Sequence, residues 1–200
     1  MMKKIKNKHP FNIAEEYKSC WNYLIDSKKF ILIIFLIFLV SSFAGYFIVL
    51  PIGVKEQILQ YLQTLVEETK GMSQFQLTKF IFFNNLRSTL FGIFFGTFLG
   101  IFPILGSICN GYILGFVSNM SVGSQGFTSL LSLLPHGIFE FPAIFISLGV
   151  GLRLGVNALK GNKKNLYFKQ EIINSLRIFL LIILPLLIIA AIIEAMFIIR

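Results

Sequence analysis

For 52 consecutive residues, 88–139, the chain carries no Asp, Glu, Lys or Arg. A soluble domain must clothe its surface, and roughly a quarter of its residues are charged. Here only 14% are charged and 56% are hydrophobic, with mean hydropathy +0.78. These residues therefore belong in a bilayer. As one helix the run would measure about 78 Å, more than twice the ~30 Å of hydrocarbon, so it must fold back. Pro103 and Gly106 mark the expected tight turn, with one span near 84–102 and another near 104–118.

The remaining chain supplies further spans. Residues 30–52 are uncharged and end at Pro51 and Gly53; as a helix they reach about 35 Å, enough to cross with some tilt. Ahead of them, Asn12 and Glu15 have capping-box spacing, and Ile13, Tyr17, Trp21 and Leu24 share a helical face. This predicts a surface helix over 11–26, with Trp21 and Tyr23 at headgroup level. Within 54–79, Ile58, Leu59, Leu62, Leu65 and Val66 oppose Lys55, Glu56, Glu67 and Glu68, the pattern of an interfacial amphipathic helix that Gly71 to Ser73 breaks. The polar stretch 119–126 reads as a loop. Residues 128–134 are apolar but too short to span, and Pro135-His136-Gly137 follows, so a re-entrant half-helix is one reading. Spans near 138–155 and 178–199 flank a basic loop, 156–177. The expected class is an all-α polytopic membrane bundle of about five transmembrane helices. Residues 1–29 form a cytoplasmic amphipathic segment, and 30–200 a single membrane domain.

Charge sets the expected orientation. Residues 1–29 hold seven Lys and three acids, 153–177 hold six Lys or Arg and one acid, and 54–79 hold three of each sign. The positive-inside rule places the first two segments in the cytoplasm and the third outside. Five spans satisfy that parity, in a multi-pass cell-membrane protein with its N-terminus cytoplasmic and its C-terminus external. The net charge of +9 is then topogenic, and a nucleic-acid partner is not expected. The basic start lacks a following apolar stretch, so no cleavable signal peptide is expected. Cys20 and Cys109 lie far apart along the topology and form no metal-spaced pair.

Two sets of residues invite a role. Gly92, Gly96 and Gly100 fall on one helix face, as do Gly111 and Gly115, letting another backbone approach closely. Packing inside the bundle and self-association both account for them. The second set is polar. His136 and Glu140 are ionisable groups in apolar surroundings, which are costly there and commonly functional. A helix beginning at Gly137 would place Glu140 in its first turn, where the dipole favours a carboxylate, with Arg87 as the expected partner. Asn84, Asn85 and Arg87 stand at the entry to the second span, Asn110 within the third, Arg153 at the cytoplasmic end of the fourth, and Glu194 within the fifth. Snorkelling explains Arg87 and Arg153 without function, and a helix-start network explains Glu140. Only two histidines are present, with no H-E-x-x-H pair and no G-x-S-x-G elbow. No catalytic residue, metal site or cofactor is expected.

Several segments together resemble the stage II sporulation protein M family: Phe83-Asn84-Asn85-Leu86-Arg87, Asn110-Gly111-Tyr112, Leu134-Pro135-His136-Gly137-Ile138-Phe139-Glu140-Phe141-Pro142, Gly151-Leu152-Arg153-Leu154-Gly155 and Ala190-Ala191-Ile192-Ile193-Glu194. The resemblance covers about residues 12–200. It implies a non-enzymatic polytopic scaffold, which in spore-formers recruits extracytoplasmic peptidoglycan-degrading partners. It offers no catalytic residues. The expected partners are the lipid bilayer, a second copy of the chain, and membrane or envelope proteins. The alternative reading of the residues is a small transporter or channel built on intramembrane His136 and Glu140.

Overall fold

The computed structural model describes residues 12–48, 51–98, 100–128, 134–159 and 166–199. The order is α1 (Ile13–Phe47), α2 (Ile52–Thr69), α3 (Gln74–Gly96), α4 (Ile101–Gln125), α5 (Leu134–Leu159), α6 (Leu166–Ile178) and α7 (Leu184–Ile198). A π-helical turn, Phe179–Ile183, joins α6 to α7. Pro185 lies in the first turn of α7 and cannot donate to the preceding turn, which is the local reason the ladder widens there. The fold is an all-α membrane bundle, as expected.

Among the described residues, four helical stretches are long and apolar enough to cross a membrane: α1, α4, α5, and the continuous run from Tyr167 to Ile198. The expected second span is represented by α3, which carries Lys79, Asn84, Asn85 and Arg87 and is less apolar. α3 nevertheless packs in the bundle against both α5 and α7, which also pack on each other. A belt of exposed Leu, Ile, Val and Phe covers the outward faces, among them Leu36, Val40, Phe94 and Ile188. Water would oppose that belt and lipid does not.

Boundaries differ from expectation at five places. The expected basic loop 156–177 is helical from Leu166, as α6, and runs on into the last span. α1 runs unbroken from Ile13, so the surface helix and the first span form one rod; Asn12 Oδ1 accepts from the Ala14 amide at 3.1 Å and caps it. The charge-free run turns at 97–100 rather than at Pro103. Gly100 there takes φ +71°, which L side chains avoid, while Pro103 sits in the first turn of α4, where no helical N–H is needed. The polar 119–126 stretch is helical to Gln125, and the hydroxyls of Ser118 and Ser124 are satisfied by carbonyls of the preceding turn. Finally, α5 begins at Leu134, so Glu140 lies in its second turn rather than its first. Residues 129–133, most of the suggested re-entrant segment, lie outside the described residues.

Helix directions follow from the contacts. Ser107 Oγ donates to Ile34 O at 2.8 Å, Gly111 packs on Phe38, and Gly115 packs on Ser42; α1 and α4 are therefore parallel. Ser147 Oγ donates to Thr89 O at 2.6 Å and Gly96 packs on Gly151, so α3 and α5 are parallel too. The N-terminal part of α1, the 97–100 turn, the end of α5 and the start of α6 share one end of the bundle. We call it the N-terminal end.

Candidate functional site

The expected packing glycines lie inside the bundle. Gly92, Gly96 and Gly100 face α5, and Gly111 and Gly115 face α1. A Cβ at Gly96 would stand 2.5 Å from Gly151 Cα, and one at Gly155 would stand 2.6 Å from Gly100 Cα. Glycine thus meets glycine across the α3–α5 seam, and no side chain could enter without parting the helices. Gly151 and Gly155 were legible as the other half of this seam by their i, i+4 spacing.

The polar residues divide into two groups. Arg153 belongs to a network at the N-terminal end. Its Nη2 pairs with Glu171 Oε1 at 2.7 Å, its Nη1 donates to Ser27 Oγ at 3.0 Å, and its guanidinium carbon lies 4.1 Å from the Tyr23 ring centroid. Tyr23 OH donates to Glu171 Oε2 at 2.7 Å, and Ser175 Oγ lies 3.3 Å from that hydroxyl. Arg153 and Glu171 side chains are only 13% and 18% exposed. Expected to snorkel, Arg153 instead turns inward to join α1, α5 and α6. Sequence spacing links Tyr23 and Ser27, one turn apart on α1, but could not link them to Arg153 of α5 and Glu171 of α6. A second pair, Arg177 with Glu16 at 3.0 Å, ties α6 to α1 nearby.

The other group faces a groove. A cavity of about 820 Å³ opens between α3 and α4, with α5 as its floor. Asn84, Asn85, Asn110, Glu140 and Glu194 all line it, although they come from four helices. Phe38 meets Phe141 at 5.2 Å between ring centroids, and Gly111 packs on Phe38; Asn110 and Glu140 thus share a level near mid-bundle. Glu140 is buried. Glu194 stands farther from the N-terminal end, beside the cluster of Leu77, Ile81, Ala191 and Ala195. Towards the N-terminal end the groove is walled by rings: Phe91 stacks on Phe95 at 5.2 Å, and Phe95 meets Phe102 of α4 at 5.3 Å. At the opposite mouth, Tyr61, Leu62, Leu65 and Val66 of α2 form part of the lining.

Arg87 is absent from that lining, contrary to its expected pairing with Glu140. It is exposed, with its guanidinium carbon 5.6 Å from the Phe91 ring centroid, and among the described residues it pairs with no carboxylate. One helical position separates it from the groove-facing Ser88, which suffices to turn it away. The His136 side chain lies outside the described residues. Among the described residues, no group of three His, Cys, Asp or Glu side chains gathers as a metal site.

The family model for "Stage II sporulation protein M" matches residues 34–197. An uncharacterized protein of Methanocaldococcus jannaschii is 32% identical over 202 aligned residues, covering 94% of this chain and 87% of that one. No solved structure matches.

Proposed function

Because the chain belongs to the stage II sporulation protein M family, we propose that it is a non-enzymatic membrane scaffold whose docking element is α2. The observation that carries this reading is the state of that helix: 18 residues long, and with none of them buried. Ile58, Leu59, Leu62 and Leu65 are half-buried towards the bundle, while Lys55, Glu56, Glu67 and Glu68 are exposed. An amphipathic helix laid over a bundle mouth presents to a partner a polar outer face that is charged at both ends and lined by Gln60, Gln63 and Thr64 between them. The lysine-rich N-terminal end faces the cytoplasm in this reading, so α2 faces outward, with envelope or membrane proteins as its partners.

Photo-crosslinking in intact cells tests the reading. A benzophenone amino acid at positions 56, 67 or 68 should give discrete protein adducts, whereas one at Leu180, on the exposed face of the α6–α7 run, should give lipid adducts only. Lipid adducts alone from all three α2 positions would sink the scaffold role.

Transport has one observation in its favour, the opening of Glu140 and Glu194 onto a shared groove. Under that reading Glu140→Gln folds normally in proteoliposomes yet abolishes cation flux. Flux equal to that of protein-free vesicles in the parent would dispose of it.

A further inference from the structure

We propose that α2 is a hinged lid: its apolar face closes the mouth of the groove between α3 and α4, and it swings about Gly71 to open it. The inference rests on how α2 is held. It stands apart from partner docking, which uses the polar outer face of the same helix, and its test needs no partner.

Attachment is the first observation. Every other helix buries side chains in the bundle, whereas none of the 18 residues of α2 is buried. The close helix pairings join α1 with α4, α3 with α5 and α7, and α5 with α1 and α7; α2 belongs to none of them. Its hydroxyls, on Thr64 and Thr69, bond back to carbonyls of α2 itself. An element with so few anchors opens locally without unfolding the rest.

Cover is the second. Leu62, Leu65, Val66 and Thr69 line the groove mouth at i, i+3, i+4 and i+7 spacing, on one face of α2. Leu62, Leu65 and Thr69 are half-buried there, so the helix rests on the rim rather than in it. Apolar burial is non-directional and seats a helix without fixing it in one register. The opposite end of the groove is walled by Phe91, Phe95 and Phe102. The mouth beneath α2 is therefore the way in from water, and the groove of about 820 Å³ behind it gives the lid something to close.

The hinge is the third. Gly71 has φ +77°, and nothing stands within 4 Å of the place a Cβ would take. Glycine alone moves freely between that region and its mirror, and here no neighbour resists the movement. Just beyond, Ser73 and Gln76 form a capping box that fixes the start of α3. Motion of α2 thus stops at the turn and leaves the bundle in place, as a lid requires.

The protein carries its own reporters. Cys109 lines the groove, whereas Cys20 is buried in the core at the N-terminal end. The test uses the full chain in nanodiscs with the membrane-impermeant trimethylammonium-ethyl methanethiosulfonate, each cysteine being followed by peptide mass spectrometry. We expect slow labelling of Cys109 in the parent. Leu62→Gln with Leu65→Gln strips the seat while removing no buried residue, and should speed labelling of Cys109 at least tenfold with Cys20 still unlabelled. Equal rates at Cys109 in the two chains would overturn the lid. A gain at both cysteines would mean that the bundle itself had loosened, and would overturn it too. Should the double variant fail to accumulate, spin labels at Gln63→Cys and Gly123→Cys decide, in a chain carrying Cys109→Ala. Two distance populations between α2 and α4 are expected there, and a single narrow distance would show α2 fixed and end the proposal.

Discussion

The two polar regions of this bundle were built from similar residues to opposite ends. At the N-terminal end, Arg153 and Glu171 close on each other with Tyr23, Ser27 and Ser175 around them. Near mid-bundle, Glu140, Glu194 and three asparagines line a shared groove. A closed network joins helices and offers a guest nothing. The groove-lining set is instead positioned, in the transport reading above, where a guest would reach it. Intramembrane charge alone therefore does not distinguish the two regions; what each charge packs against does.

The largest effect should come from the seam on which both regions depend. Gly96→Leu inserts a side chain where Gly151 backbone stands, and the folded protein should vanish from the membrane fraction. Gly123→Leu, with nothing within 4 Å of its Cβ, is the matched control and should accumulate normally. Equal accumulation of the two would mean that the α3–α5 apposition is not what holds the bundle.

Next in size is the closed network. Arg153→Ala strands Glu171, and Glu171→Ala strands Arg153; each should cost about 3 kcal/mol, read as a lower melting temperature in detergent. Arg153→Met combined with Glu171→Leu should cost clearly less than the sum of the single losses, because neither charge is left alone. Additive losses would break the contrast, since they would mean that the two groups do not stabilise each other.

Smaller still is the open region. Glu140→Gln keeps the shape and most of the hydrogen bonding, so its stability loss should stay below about 1 kcal/mol. Glu140→Leu should lose more. If Glu140→Gln destabilises as much as Arg153→Ala, the groove is a second structural network and the comparison fails.

The smallest effect on stability belongs to α2, and it reports sidedness. After replacement of the exposed Cys109, Gln63→Cys should melt within about 0.5 kcal/mol of the parent, as surface changes do. It should react with an impermeant maleimide in intact cells, while Lys164→Cys should stay unlabelled. Labelling at position 164 would reverse or break the five-helix topology proposed here.

Much of the architecture was legible along the chain because hydropathy is a local property. The apolar rods, the Asn12 cap and the amphipathic face of α2 each need only neighbouring residues to be recognised. Boundaries were less legible. Pro103 reads as a breaker, yet a proline is well tolerated in a helix's first turn, and the turn fell instead to Gly100. The capping box of Ser73 and Gln76, both members bonded, was also readable and marks the start of α3.

Pairing between distant residues was another matter. Asn84, Asn85, Asn110, Glu140 and Glu194 could be singled out one by one, since polar groups in apolar runs are conspicuous. That they meet, while Arg87 turns away and Arg153 finds Glu171, depends on the rotation of each helix about its axis and on which helices lie side by side. Neither is encoded in a local run of residues. Membership of the bilayer follows from composition, because transfer energies add residue by residue. The groove exists because α4 packs along α1 through Gly111 and Gly115 while α3 packs along α5 through Gly92 and Gly96. Those two close seams hold α3 and α4 apart, and only packing across the whole chain could set the space between them.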